Sequence, residues 1–161
     1  MGTLKTVEAV EKALGSVKCN LSGGVRDILQ QFGANGHACV AEEDVEFLAA
    51  TPKELGEQLG RDLSCGCNLG EVYRVASELG LVTCAPCDAV YICLMIMEQP
   101  LNDCFWVSAN PPIASYHSEV CRSVVNMFIV ERREDWRWLG CDDGRLESPV
   151  NRDHRFVFRR R

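Results

Sequence analysis

Residues 68–80 read NLGEVYRVASELG and contain the signals of one amphipathic helix together with both of its ends. The apolar residues recur three and four positions apart, so a helix would place them on one face. Asn68 precedes the apolar run and Glu71 follows Asn68 by three positions, which is the pattern of a capping box, and Gly80 is a typical helix stop. The sequence therefore predicts a helix over 68–80.

Other helices are predicted on the N-terminal side of this stretch. Residues 51–60 begin with TPKE, which is typical of a capped helix start, and end with glycine. The spacing of apolar residues also predicts helices over 4–17 and 25–32. The acidic run at 42–44 favours a helix start, so 45–49 is predicted to be helical as well.

After Gly80 the pattern changes from helices to strands. Residues 90–97 read VYICLMIM and are apolar throughout, which is typical of a central strand. Short apolar or alternating runs predict further strands over 104–107, 124–130, 136–138 and 156–158.

These elements together predict an α+β fold, with N-terminal helices over about 4–80 followed by a mainly antiparallel sheet over about 81–160. The chain has 161 residues, which is the size of a single domain, 1–161. The change of pattern suggests a subdivision into a helical part, 1–80, and a β-rich part, 81–161.

The composition is that of a globular protein with many cysteines. Hydrophobic residues make up 47% of the chain and charged residues 25%, which excludes collagen-like and wholly disordered classes. No apolar run approaches the ~20 residues that span a bilayer, and we expect no secretory signal. The ten cysteines are therefore expected to be reduced thiols, and the protein to be cytoplasmic or otherwise intracellular.

Charge is distributed unevenly along the chain. Residues 131–161 contain nine arginines against seven acidic residues, whereas the whole chain carries a net charge of −6. The preceding part is therefore acidic, which disfavours nucleic-acid binding over a broad surface. Arg159 and Arg160 belong to the basic C-terminal cluster and are candidate contacts for an acidic partner.

Residues 51–97 resemble a winged helix-turn-helix. In this resemblance 51–60 is the support helix, 68–80 is the recognition helix, and 90–94 is the returning strand of the wing. A recognition helix that reads DNA normally carries several cationic or amide side chains. Here Arg74 stands against two glutamates, so the resemblance implies a surface that contacts protein rather than DNA, with Arg74 as a candidate binding residue.

Four cysteines have a spacing that suggests a metal site. Cys65 and Cys67 form one close pair, and Cys84 and Cys87 form a second pair after the helix over 68–80. Tetrahedral zinc is commonly held by two such pairs. A zinc-stabilised regulatory or nucleic-acid-binding protein is therefore one alternative function, and no other cofactor is expected.

A second alternative is a cysteine-dependent hydrolase of the papain-like peptidase type. This chemistry needs a thiolate, a histidine base and a group that orients the histidine. Cys39 and Cys104 are the candidate nucleophiles, and His117 is the candidate base.

The leading hypothesis is a small non-catalytic binding or regulatory module that acts through protein–protein contacts. Trp136 and Trp138 alternate with an arginine, which suits a half-exposed strand and would place both indoles on one face. This strand and the edge of the helix over 68–80 are the expected contact surfaces for a protein partner.

Overall fold

The computed structural model describes residues 6–34, 45–63, 66–85, 87–95, 101, 103–108, 113–115 and 124–160. These residues form five helices and eight strands, which confirms the α+β class. The helices are α1 (Val7–Ser16), α2 (Gly23–Ala34), α3 (Pro52–Gln58), α4 (Leu69–Glu78) and α5 (Asp88–Met95). The strands are β1 (Cys19–Leu21), β2 (Phe47–Ala50), β3 (Leu81–Val82), β4 (Cys104–Val107), β5 (Ile113–Ser115), β6 (Val124–Arg132), β7 (Arg137–Asp143) and β8 (Arg155–Arg160).

The strands form one mixed sheet. Its order is β1-β7-β6-β4-β8-β2, with β3 paired to β8 and β5 paired to β6. The pairs β1–β7 and β4–β8 are parallel, and the five other pairings among the described strands are antiparallel. Strands β1 and β2 come from the first half of the chain, so the sheet joins the two parts that the sequence pattern distinguishes.

Alternate residues of the central strands enter two hydrophobic cores on opposite faces of the sheet. In β4, Phe105 packs into the first core and Trp106 against the second. In β8, Val157 belongs to the first core and Phe156 to the second. This follows from the two-residue period of a strand. Helices α1, α2 and α5 cover the first core, and α3 and α4 cover the second, so the protein has three layers.

The capping signals in the sequence form as predicted. The Thr51 hydroxyl accepts a hydrogen bond from the backbone N–H of Glu54, and the Glu54 carboxylate accepts one from that of Thr51 at 2.7 Å. Asn68 and Glu71 make the same reciprocal pair at the start of α4. Gly80 has a φ of 77°, which favours glycine and ends this helix.

The predicted strand over 90–97 is wrong over residues 90–95, because Asp88–Met95 is helix α5, and residues 96–97 lie outside the described residues. Every residue from Asp88 to Cys93 is buried, since α5 packs against α1 on one side and β6 and β7 on the other. A helix that is buried all round has no polar face, so its sequence resembles that of a central strand. The returning wing strand at 90–94 is likewise helical, and the winged-helix resemblance is not confirmed.

The helix predicted over 45–49 is also wrong. Phe47–Ala50 is strand β2, which pairs with β8 in antiparallel register. Four residues are too few for periodicity to distinguish a helix from a strand, and the pairing with β8 decides the conformation. The acidic run at 42–44 lies outside the described residues.

The described helices are all short. None of the helices among the described residues is long and apolar enough to traverse a bilayer.

Candidate functional site

A pocket of about 590 Å³ lies on the face of the sheet that carries the second core. On this face α3 and α4 pack over β2, β3 and β8, and the pocket opens beside them, over β4, β6 and β7. We call it the Trp106 pocket. Its described apolar lining residues are Leu69, Trp106, Met127, Val150 and Phe156.

Two stacked rings form one wall of the pocket. The indole of Trp106 on β4 and the imidazole of His154 before β8 have centroids 4.4 Å apart and an interplanar angle of 16°. Burial lowers the pKa of His154, against the opposing effect of the Asp142 and Asp153 carboxylates. The imidazole is therefore neutral at pH 7, and the two rings together present a flat, uncharged surface.

The rim of the pocket is acidic. Arg145 makes an ion pair with Asp143, with 2.7 Å between Nη2 and Oδ2, and the Ser148 hydroxyl donates a hydrogen bond to the same oxygen. The Arg145 guanidinium lowers the pKa of Asp143 to about 2. Asp142 and Glu147 also line the pocket. The described lining residues thus include three carboxylates and one guanidinium, so the rim carries net negative charge.

The predicted tryptophans continue this face along β7. Leu139 and Cys141 point to the first core, so Trp138, Gly140 and Asp142 point to the opposite face, which is that of the pocket. The Trp138 indole lies across Gly140, where a Cβ would be 2.5 Å from its Nε1. Trp136 contacts Trp138 edge to face, with centroids 6.3 Å apart, and is 38% exposed. We call Trp106, His154, Trp138 and Trp136 the aromatic face.

Cys104 lies on the same face, and its surroundings keep its sulfur protonated. Burial and the carboxylates of Glu131, Asp103 and Asp142 raise the pKa of the Cys104 thiol to about 12. A nucleophilic cysteine needs the thiolate at working pH, which these surroundings oppose. The other two residues of the predicted hydrolase site, Cys39 and His117, lie outside the described residues.

The structure does not bring the described members of the predicted zinc site together. Cys67 is buried in the second core, whereas Cys84 is buried in the first core and Cys87 packs against it. Cys65 lies outside the described residues. Within the described ranges, no group of three or more histidine, cysteine or acidic side chains could hold a metal ion. The zinc site stays a prediction.

The three predicted binding arginines have different surroundings. Arg74 on α4 is 57% exposed and pairs with Glu78 at 3.1 Å. Arg160 is half-exposed and pairs with Glu46 at 2.7 Å. Arg159 is only 17% exposed, because its guanidinium is bound to the buried carboxylate of Asp88 through both Nε and Nη2. Arg159 thus forms an ion pair inside the fold, whereas the side chains of Arg74 and Arg160 lie at the surface.

No family model, curated protein or solved structure matches this chain. Its own chemistry therefore has to indicate what the site binds.

The sequence reasoning missed the acidic rim and the stacking partner His154. The alternation that predicted Trp136 and Trp138 on one face of a strand also places Gly140 and Asp142 on that face. This alternation is the signal in the sequence that β7 continues to the pocket.

Proposed function

We propose that this protein is a small intracellular, non-catalytic binding module that holds a segment of another protein in the Trp106 pocket and along the aromatic face. One observation carries the proposal. A pocket with an apolar floor, an uncharged stacked wall and an acidic rim opens on the sheet face that also presents Trp136 and Trp138. Aromatic residues concentrated at one place are typical of protein-binding surfaces.

The chemistry of the pocket favours a segment that combines an aromatic side chain with basic neighbours. Its volume lies within the range of ligand pockets and suits one or two large side chains. The rings of Trp106 and His154 can stack on an aromatic ring or a guanidinium. Asp142 and Glu147 would then attract the positive charges beside it, and the same carboxylates would repel the phosphates of a nucleic acid.

The polar groups of the rim mainly support the shape of the pocket. Ser148 gives its hydroxyl hydrogen bond to Asp143, and Arg145 pairs with Asp143 through three N–H···O contacts. These bonds fix the segment that follows β7. A rim held in place before binding loses little entropy when a partner binds, which suits a recognition site.

The experiment is a titration of the 161-residue chain with three fluorescently labelled peptides. The first has a tryptophan between arginines, the second replaces the arginines with glutamates, and the third replaces the tryptophan with alanine. Fluorescence anisotropy measures each Kd. We expect the first peptide to bind most tightly, because it alone matches both the apolar floor and the acidic rim.

A charge variant and a matched control locate the binding site. Asp142→Asn with Glu147→Gln removes two rim charges, and at about 0.5 kcal/mol each this weakens binding of the first peptide about 5-fold. The control, Glu11→Gln with Glu57→Gln, removes two exposed charges from α1 and α3, away from the pocket lining, and is expected to leave the Kd unchanged. Equal Kd values for the three peptides, or equal losses in the two variants, would contradict the proposal. Binding of duplex DNA with no binding of peptide would do so as well.

A further inference from the structure

Two cysteines from distant parts of the sequence meet on the opposite face of the sheet from the Trp106 pocket. The sulfurs of Cys19 on β1 and Cys93 on α5 are 3.1 Å apart, although the two cysteines are 74 positions apart in the chain. Cys93 is fully buried in the first core, and Cys19 is half-buried against it. Cys19 is thus the more exposed residue of the pair, and Cys93 lies inside the core.

Arg137 fixes the geometry of this pair and supplies positive charge beside it. Arg137 is the register partner of Cys19 in the parallel pair of β1 and β7. Its Nη1 donates hydrogen bonds to the carbonyl oxygens of Cys93 at 2.8 Å and Leu94 at 3.3 Å, in the last turn of α5. The same side chain therefore caps the helix that carries Cys93 and is fixed against the strand that carries Cys19.

The two thiols differ in acidity, and this difference decides which of them reacts first with an oxidant. The hydrogen bond between the two thiols lowers the pKa of Cys19, and the charge of Arg137 adds to this against the opposing effect of burial. The same hydrogen bond, followed by burial, raises the pKa of Cys93. Cys19 is thus the sulfur that forms the thiolate, the nucleophile in disulfide chemistry.

We propose that Cys19 and Cys93 are an oxidant-sensitive pair that closes reversibly to a disulfide when the protein meets a peroxide. The Cys19 thiolate attacks one peroxide oxygen, the O–O bond breaks, and Cys19 becomes a sulfenic acid. The Cys93 sulfur then attacks the Cys19 sulfur, the S–O bond breaks, and the hydroxyl leaves as water with the Cys93 proton. Two thiols lose two electrons and two protons, and hydrogen peroxide is reduced to two waters. A dithiol reductant reverses the change by exchange.

Four of the other described cysteines, Cys67, Cys84, Cys104 and Cys141, have surroundings that oppose this reaction. Cys84 is buried and donates a hydrogen bond to the carbonyl of Val157, and burial raises the pKa of its thiol. Burial also raises the pKa of Cys67 and Cys141. The thiol pKa of Cys19 is lowered, whereas those of Cys67, Cys84, Cys104 and Cys141 are raised, so oxidation is expected to begin at Cys19 rather than at these four.

Mass spectrometry tests the proposal on the reduced 161-residue chain. The protein is exposed to an equimolar amount of hydrogen peroxide at neutral pH, free thiols are blocked with a maleimide, and the denatured chain is digested with trypsin and chymotrypsin. Cleavage after Lys18 and Arg26 isolates Cys19, and cleavage after Tyr91 and Leu101 separates Cys93 from the cysteines on either side of it in the sequence. The expected product is one cross-linked species that joins the Cys19 and Cys93 peptides and is lost after reduction.

Three variants make the result specific. Cys19→Ser and Cys93→Ala are expected to abolish the cross-link, whereas Cys141→Ser, another half-buried cysteine beside the first core, retains it. If Cys93→Ala does not fold, Cys19→Ser still tests the pair from its more exposed side. Maleimide labelling of Cys19 in the reduced protein is also expected to be at least about tenfold faster than labelling of Cys104.

Several outcomes would overturn the proposal. One is recovery of both cysteines as maleimide adducts from the oxidised native protein. Another is Cys19 oxidised to the sulfinic acid while Cys93 stays a thiol, and a third is loss of the cross-link in Cys141→Ser. None of these results depends on peptide binding, so the failure of this proposal and that of the proposed function are distinguishable.

Discussion

Arg159 and Arg160 are adjacent on β8, and each forms an ion pair with a carboxylate. The Arg159 pair is largely buried and the Arg160 pair is exposed, so a comparison of the two is a direct test of the structure. The Arg159 and Asp88 side chains are 17% and 5% exposed, whereas those of Arg160 and Glu46 are 50% and 65% exposed. Arg159→Met leaves the Asp88 carboxylate buried without its guanidinium, which costs about 3–5 kcal/mol. Arg160→Met breaks a solvent-exposed pair and costs about 0–1 kcal/mol.

A third variant separates the buried charge from lost packing. Asp88 also accepts a hydrogen bond from the backbone N–H of Ala85 at 2.7 Å, and an asparagine at this position keeps that acceptor without the charge. The double variant Asp88→Asn with Arg159→Met is therefore expected to be more stable than Arg159→Met alone. The gain measures how much of the loss comes from leaving a carboxylate unpaired in the core.

Urea denaturation followed by tryptophan fluorescence measures these differences. With an m-value of about 2 kcal/mol/M, a loss of about 4 kcal/mol lowers the midpoint by about 2 M for Arg159→Met. Arg160→Met should shift the midpoint by less than about 0.5 M. The reasoning is refuted if the two single variants have the same midpoint, or if the double variant is less stable than Arg159→Met.

Two further predictions concern the aromatic face. Gly140→Ala places a Cβ 2.5 Å from Nε1 of Trp138, so the indole must move, and we expect a loss of about 1–3 kcal/mol with a changed tryptophan emission spectrum. Gly15→Ala, with nothing within 4 Å, should instead be neutral or slightly stabilising in thermal denaturation, and equal effects at the two sites would contradict this. Burial lowers the pKa of His154 from 6.5, so the unfolded chain binds its proton more readily than the folded protein. Stability from this group is complete above pH 6.5 and falls as the pH drops below it, and His154→Gln should flatten that dependence in urea midpoints measured across the range.

The helices that the sequence predicted correctly are those whose signals are local. At α3 and α4 the cap residue, its partner three positions later and the apolar stripe lie within one short segment. These interactions form wherever the segment becomes helical, so they can be read without knowledge of the tertiary structure. The strands β4, β6 and β8 were predicted for a similar reason, because β-branched and aromatic residues are concentrated in them.

The errors fall where tertiary packing decides the conformation. Residues 88–93 of helix α5 are all buried, so their hydrophobicity shows no helical period, and the pairing of strand β2 with β8 decides its extended conformation. The site was only partly predictable for the same reason. Trp136 and Trp138 share a local pattern, but the stacking of Trp106 on His154 joins two residues that are distant in sequence. The Cys19–Cys93 pair has no local signal.

Strand β8 is the last of the described strands in sequence, yet it lies between β4 and β2 in the sheet. A ribosome therefore makes β2 and β4 well before the strand that joins them. Until then, the edges of both strands present unpaired backbone groups that can pair wrongly with other chains. The nascent protein is expected to stay prone to aggregation until residues 155–160 have left the exit tunnel, and chaperones that shield strand edges should raise its yield.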